Sequence, residues 1–252
     1  MEKRNRKKLV ILGSTGSIGR AAIEIILRSP DDFEITGLAA GSDIGELGLQ
    51  LREFPEARFA LGDGNACDRL IAEDSDLKER CTGTGNEGLT GLLADPKPDL
   101  MINALVGVAG LVPTVRALET GIDVALANKE SLVTGGQIID ALSAESGAKV
   151  IPVDSEHFSL ARCLKGHEGE TAELILTASG GPFLGRDIAS LGDVTVPEVL
   201  DHPTWSMGRK VTVDSAHLLN KGLEVIEAHW LFGFDYGSVS YTHLRAHETK
   251  AN

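Results

Sequence analysis

The segment "VIPVDSEHFS" ends an apolar run with two carboxylates, Asp154 and Glu156, two positions apart. Alternate side chains of an extended chain point the same way, so the pair can face one site. A third carboxylate, Glu224, lies in "VTVDSAHLLNKGLEVIEAHW". There Asn220 and Glu224 are i and i+4, and Lys221 and Glu224 are i and i+3. On a helix these spacings put amide, ammonium and carboxylate on one face. Three carboxylates brought together repel unless a cation neutralises them, and an all-oxygen donor set suits Mg²⁺ or Mn²⁺. The competing arrangement is structural: Asp154 caps a helix, Glu156 is solvated and Glu224 pairs with Lys221. Spacing leaves both open, because it does not bring the two segments together.

Two further stretches carry candidate chemistry. In "LTASGGPFLGRD" a strand-like run enters Ser179-Gly180-Gly181-Pro182, a turn whose N–H groups suit a phosphate and which otherwise is only a turn. "DHPTWSMGRKVTVDS" gathers His202, Trp205, Met207, Arg209 and Lys210 in a segment without clear periodicity, a candidate lid or else a hydrophobic plug. Residues 211–213 read as a strand, with Asp214 or Ser215 capping the helix that follows.

The elements that position these residues are written in alternating patterns. "KKLVILGSTGSIGRAAIEIILRSP" is an apolar run, a glycine-rich turn and a helical pattern. Gly13, Gly16 and Gly19 form G-x-x-G-x-x-G between strand and helix, the context in which backbone approaches a pyrophosphate at a helix N-terminus. "FEITGLAAG" reads as the second strand, ending where a ribose-reading residue belongs. Strand-like "ARFALGD", "DLMINALVG", "DVALANKE" and "KVIPVD" then alternate with helical "EGLTGLLADP", "GLVPTVRALETG" and "SLVTGGQIIDALSAESG". This alternation predicts an α/β fold with a Rossmann-like parallel sheet over residues 1–150. Residues 65–85 are polar and give little periodic signal.

Composition narrows the partners. The 252 residues carry a net charge of −13, which argues against nucleic acid or an anionic membrane as a general partner. Cys67, Cys81 and Cys163 show no C-x-x-C spacing, so a reducing cytoplasm is expected, and no apolar stretch is long enough for a membrane span.

The motifs "ILGSTGSIG", "ALVGVAGLVPT", "LANKESLV", "PVDSEH", "ASGGPF", "HPTWSMG" and "VDSAHLLNKGLEVIEA" occur in this order. Over about residues 7–236 the chain resembles the 1-deoxy-D-xylulose 5-phosphate reductoisomerase family. The resemblance implies an NADPH- and divalent-metal-dependent enzyme of the non-mevalonate isoprenoid route, bacterial, cytoplasmic and homodimeric when full length. It would rearrange 1-deoxy-D-xylulose 5-phosphate to a branched aldehyde, then reduce that to 2-C-methyl-D-erythritol 4-phosphate. It assigns Asp154, Glu156 and Glu224 to Mg²⁺ or Mn²⁺, with Co²⁺ also accepted, and gives these three and Lys221 catalytic roles. Ser155, Glu156, Ser179, His202, Trp205, Met207, Ser215, Asn220 and Lys221 would bind the sugar phosphate. Thr15, Gly16, Ser17, Ile18, Gly41, Ser42, Asp43, Asn128, Lys129, Glu130 and Gly208 would bind the cofactor.

Two features depart from the family pattern. Ser42 and Asp43 stand where the family often has a basic or amide residue, and an acidic group there suits a free ribose hydroxyl better than a 2′-phosphate. Gly41 N–H, the Ser42 hydroxyl or Arg20 would then have to compensate. The final residues 238–252 read as a non-native tail, because "VSYTHLRAHET" spells one frame of a common sequencing-library adapter. The family continues past Tyr236 into further strands and a helical domain, so the resemblance implies that residues 151–237 are an incomplete α+β catalytic domain. The 252-residue chain is therefore expected to expose an unpaired sheet edge and to be poorly active and aggregation-prone. The alternatives are another Rossmann oxidoreductase, such as a homoserine or aspartate-semialdehyde dehydrogenase relative, and a non-catalytic cofactor-binding module.

Overall fold

The computed structural model describes residues 6–167, 169–204 and 208–241. The chain divides into two compact units at the Val153–Asp154 bond. The first unit is built on β1 (Lys7–Leu12), β2 (Phe33–Ala40), β3 (Arg58–Leu61), β4 (Cys81–Thr84), β5 (Leu100–Asn103), β6 (Asp123–Leu126) and β7 (Val150–Pro152). They form one sheet in the order β4-β3-β2-β1-β5-β6-β7, and every neighbouring pair is parallel. The connections carry α1 (Ser17–Leu27), α2 (Ile44–Glu53), α3 (Gly64–Glu73), α4 (Gly85–Gly91), α5 (Leu111–Glu119) and α6 (Lys129–Ser146). This is the Rossmann-like α/β fold expected from the alternation.

Apolar runs such as residues 9–12 are wholly buried because a parallel sheet is covered on both faces. Leu9, Ile11, Leu38 and Phe59 form a core with Ile23 and Ile26 of α1 and Leu47 and Leu51 of α2. The strand order reverses between β1 and β5, so the turn after β1 sits at the switch point where such folds bind ligands. Gly13 there has φ +82°, and a Cβ would stand 2.5 Å from the Ala104 carbonyl oxygen, so only glycine fits.

The second unit contains α7 (Ser155–Leu164), β8 (Leu174–Leu176), α8 (Val196–Leu200), α9 (Arg209–Ser215), α10 (Leu219–Phe232) and β9 (Val239–Tyr241). Leu174, Leu176, Ala228 and Val239 make its small core, with Leu160, Leu164, Val225 and Phe232 packed around it. The strands β8 and β9 pair in parallel, so residues 239–241 of the expected tail join this unit, while residues 242–252 lie outside the described residues.

Three local readings change. Residues 211–213 are helical in α9, not a strand: the β-branched run is overridden by a Lys210–Asp214 ion pair of 2.6 Å at i,i+4 and a Thr212 hydroxyl donating to Gly208 O. Asp214 and Ser215 therefore do not cap the next helix. The N-cap of α10 is Leu218, held at φ +63°. The polar stretch 65–85 holds α3, a 3₁₀ turn (Ser75–Arg80) and β4.

Candidate metal and substrate centre

Asp154 is the N-cap of α7, accepting the Glu156 N–H at 3.2 Å, and this places Glu156 on the helix's first turn. Packing of α7 and α10 around β8 brings Glu224 to the same place. One oxygen each from Asp154, Glu156 and Glu224 lie within 4.8 Å of one another. Glu224 is 2% exposed and accepts from Asn220 Nδ2 and pairs with Lys221, as their helical spacing predicts. Lys221 Nζ also lies 3.6 Å from Glu156 Oε1 and donates to Thr177 O, tying α10 to the end of β8. Ser155 Oγ donates to Glu156 Oε2 at 2.6 Å.

The electrostatics are those a bound cation would relieve. Burial raises the pKa of Glu156, the Glu224 and Asp154 charges raise it further, and the Ser155 hydrogen bond and Lys221 only partly oppose this. A carboxyl held up by its neighbours' charges is relieved by a positive ion, and the all-oxygen set fits a hard divalent one. The structural alternative is partly true: Asp154 caps and Glu224 pairs with Lys221, yet these contacts gather the carboxylates instead of dispersing them.

Two groups in this centre escaped the sequence reading. His157 is fully buried. Its Nε2 lies 2.9 Å from the Glu224 carbonyl oxygen, which can only accept, so Nε2 carries a proton. Its Nδ1 faces Asp154 Oδ1 at 3.4 Å and Glu227 Oε2 at 3.8 Å. Burial opposes a charge on this ring, but the Asp154 and Glu227 carboxylates outweigh it and the pKa is raised. Asp154, His157 and Glu227 form a second cluster of possible metal donors sharing Asp154. The signal lay in their i,i+3 spacing from Asp154 and Glu224, visible only once those two are known to meet.

The phosphate-type turn joins the end of α9. Gly180 has φ +79°, and a Cβ on Gly181 would stand 2.3 Å from the Ser215 carbonyl oxygen, so the turn packs against the backbone of Ser215. His202 Nδ1 accepts the Thr204 N–H at 3.1 Å, which leaves Nε2 to donate to Gly180 O at 3.1 Å. Gly208 is the N-cap of α9. Trp205 and Met207 lie outside the described residues.

In the first unit, Gly16 N-caps α1 with no side-chain cap and no acidic residue in the first turn. The first-turn N–H groups of Ser17 and Ile18 are thus open to an anion, and Gly16, Ser17 and Ile18 are exposed, with Thr15 half-buried. Gly41 and Ser42 are exposed beyond β2. The Asp43 carboxylate accepts the Glu46 N–H at 3.1 Å, capping α2. Asn128 is buried with its amide committed: Nδ2 donates to Leu105 O, Gly107 O and Glu130, and Oδ1 accepts from Ser131. It shapes the loop after β5, and Lys129 beside it is 6% exposed.

The chain is similar to known proteins over both units. The family model described as 1-deoxy-D-xylulose 5-phosphate reductoisomerase matches residues 9–136, and its C-terminal-domain model matches residues 150–232. A reductoisomerase of that name from Thermosynechococcus vestitus is 45% identical over 235 residues, covering 92% of this chain and 57% of the relative. One from Thermodesulfovibrio yellowstonii is 46% identical over 227 residues, covering 90% and 59%. The chain thus spans a little under two thirds of the length of such relatives. A crystal structure of DOX-P reductoisomerase in complex with NADPH, fosmidomycin and magnesium superposes with a TM-score of 0.87 at 34% identity, covering 93% of this chain and 60% of the other. The Zymomonas mobilis reductoisomerase in complex with NADPH gives a TM-score of 0.80 at 32% identity, covering 94% and 61%. With one matching model alone covering residues 9–136 and the second most of the rest, the chain belongs to the 1-deoxy-D-xylulose 5-phosphate reductoisomerase family.

Proposed function

We propose that the protein of which this chain forms part converts 1-deoxy-D-xylulose 5-phosphate to 2-C-methyl-D-erythritol 4-phosphate with NADPH and Mg²⁺ or Mn²⁺. The observation that carries the reading is the meeting of Asp154, Glu156 and Glu224 beside Lys221. Solved relatives in complex with NADPH, with magnesium and with fosmidomycin support it.

A divalent ion in this centre would polarise substrate oxygens as a Lewis acid, and NADPH would supply the hydride. The chain's own groups do the rest. Asp154, Glu156 and Glu224 would hold the ion. Ser155, Asn220 and Lys221 offer donors to the substrate's hydroxyls beside it, and Lys221 keeps positive charge where negative charge develops. Ser179, Ser215 and His202 would hold the phosphate. The open N–H groups at the start of α1 would bind the cofactor pyrophosphate. Gly41, Ser42 and Asp43 would face its ribose. A bacterial cytoplasmic location and a homodimer are part of the proposal. Among the described residues no helix is long and apolar enough to cross a membrane.

The test is NADPH oxidation with the sugar phosphate and Mg²⁺, by this chain and by this chain completed with the C-terminal portion of a relative. Metal-dependent oxidation yielding the branched tetritol phosphate is the expected result for the completed chain. NADPH binding without such turnover would overturn the assignment in favour of a cofactor-binding module. A higher kcat/KM for NADH than for NADPH would overturn the choice of cofactor.

A further inference from the structure

Gln50 sits two turns into α2 and is 6% exposed, an unusual place for an amide. Its Nε2 donates to Ser14 O at 3.0 Å and to Glu46 Oε1 at 3.2 Å. Both partners only accept, so the amide's orientation is fixed by its surroundings. Its Oε1 has no hydrogen-bond partner among the described residues. Leaving a buried acceptor unpaired costs stability, so packing alone does not account for glutamine here.

Ser14 is the second residue of the glycine-rich turn and is fully buried. Its N–H, like that of Gly13, bonds to Ala39 O at 2.9 Å. Gly16 N–H bonds to Gly13 O at 3.1 Å. Gly19 presses on the turn so closely that a Cβ there would stand 2.2 Å from Gly13 O. The Ser14 carbonyl is the group that a side chain from another element controls. A trans peptide unit is planar, with its C=O and N–H pointing in opposite directions. Drawing the Ser14 carbonyl inward to Gln50 therefore turns the Thr15 N–H away from Gln50, and the residues that follow it, Gly16, Ser17 and Ile18, are exposed.

We propose that Gln50 is a positioning residue for the cofactor: it holds the Ser14–Thr15 peptide in the orientation that presents the Thr15 N–H to the pyrophosphate. The inference rests on reading this turn as the NADPH site. Gln50 touches no cofactor atom in this scheme, and its effect falls on the diphosphate and not on the adenosine.

The test titrates NADPH and 2′-AMP, which lacks the pyrophosphate, into the 252-residue chain carrying Gln50, Gln50→Met or Gln50→Glu. Methionine fills similar volume without a donor, and glutamate keeps the shape but sets a charge against two acceptors. Loss of one buried hydrogen bond predicts an NADPH Kd about tenfold higher for Gln50→Met, larger still for Gln50→Glu, with 2′-AMP affinity unchanged. Equal weakening of both ligands would make Gln50 a mere prop for α2 and overturn the proposal, as would an unchanged NADPH Kd. A second measurement needs no variant: NADPH should slow amide hydrogen exchange at Thr15, and no slowing would also overturn it. A wild-type chain that binds 2′-AMP but not NADPH would instead overturn the assignment of function, and this inference with it.

Discussion

Replacing Glu224 by glutamine tests the proposed metal centre most directly. The side chain keeps its volume and one oxygen donor but loses its charge, at a position only 2% exposed. One oxygen of Glu224 lies within 4.8 Å of oxygens of Asp154 and Glu156, so a cation bound by the three would sit a few ångströms from each carboxylate. At an effective dielectric near 20, a unit charge pair about 4 Å apart is worth roughly 4 kcal/mol, so a divalent ion forfeits about 8 kcal/mol of attraction. Rehydration of the ion and the amide oxygen that remains return part of this. If about half survives as a net loss, ~4 kcal/mol, metal affinity falls by ~10³-fold. Lys221, which pairs with both Glu224 and Glu156, keeps one partner and adds repulsion in the same direction. Manganese binding followed by electron paramagnetic resonance measures the effect without turnover, and NADPH titration serves as the control. Glu224→Gln should lose manganese and keep NADPH. Manganese affinity within about threefold of wild type would refute the argument that this carboxylate's charge holds the ion.

Other consequences follow from the same geometry. Glu156 and His157 both have raised pKa values in the metal-free fold, from ordinary values of 4.5 and 6.5. A raised folded pKa adds stability that is full below the ordinary value and is lost as pH rises through the folded one. The metal-free melting temperature should therefore fall as pH rises upward from about 5, and saturating Mg²⁺, which needs Glu156 ionised, should flatten or reverse the slope; a metal-free value that climbs instead would contradict the site electrostatics. Gly181→Ala would force a Cβ to 2.3 Å from Ser215 O and should destabilise the second unit by about 2 kcal/mol in urea titration, with an unchanged midpoint disproving the close approach. Burial, helped by nearby Cys81 at 3.3 Å, pushes the Cys67 thiol up to about 12, while Cys163 is exposed. Thiol reagents at neutral pH should label Cys163 first and Cys67 last by peptide mass mapping, and the reverse order would be incompatible with the packing around α3.

How far the sequence could be read depended on whether the signal was local. The parallel strands were legible because burial on both faces demands continuous apolar runs, as in residues 9–12. The helix α3 was not, because its buried positions are Ala66, Cys67 and Leu70, two of them small, and its clearest mark is the Asp63 cap on Ala66 N–H. Asp43 was read for its charge beside a ribose, whereas it also opens α2 as an N-cap. In α9 the run Val211-Thr212-Val213 carries strand propensity that side-chain pairing and packing override. Asn220, Lys221 and Glu224 were legible since helical spacing alone puts them together. His157 and Glu227 were not, because their roles exist only where α7 meets α10.

That meeting links the chemistry to the fold of the second unit. The helices α7 and α10 are joined by His157 Nε2 donating to the Glu224 carbonyl, while Lys221 anchors α10 to Thr177 at the end of β8. These bonds hold four carboxylates, Asp154, Glu156, Glu224 and Glu227, against one lysine and one histidine. With the ring charged, two negative charges are left over, and burial together with the Glu224 and Asp154 charges lifts Glu156. A divalent cation balances that excess, so the same ion that would activate substrate also relieves the strain of assembling the site. A monovalent ion would leave one charge uncompensated and should stabilise the unit less. The packing that buries Leu174, Leu176 and Ala228 therefore sustains a repulsive cluster whose natural complement is an ion of charge two.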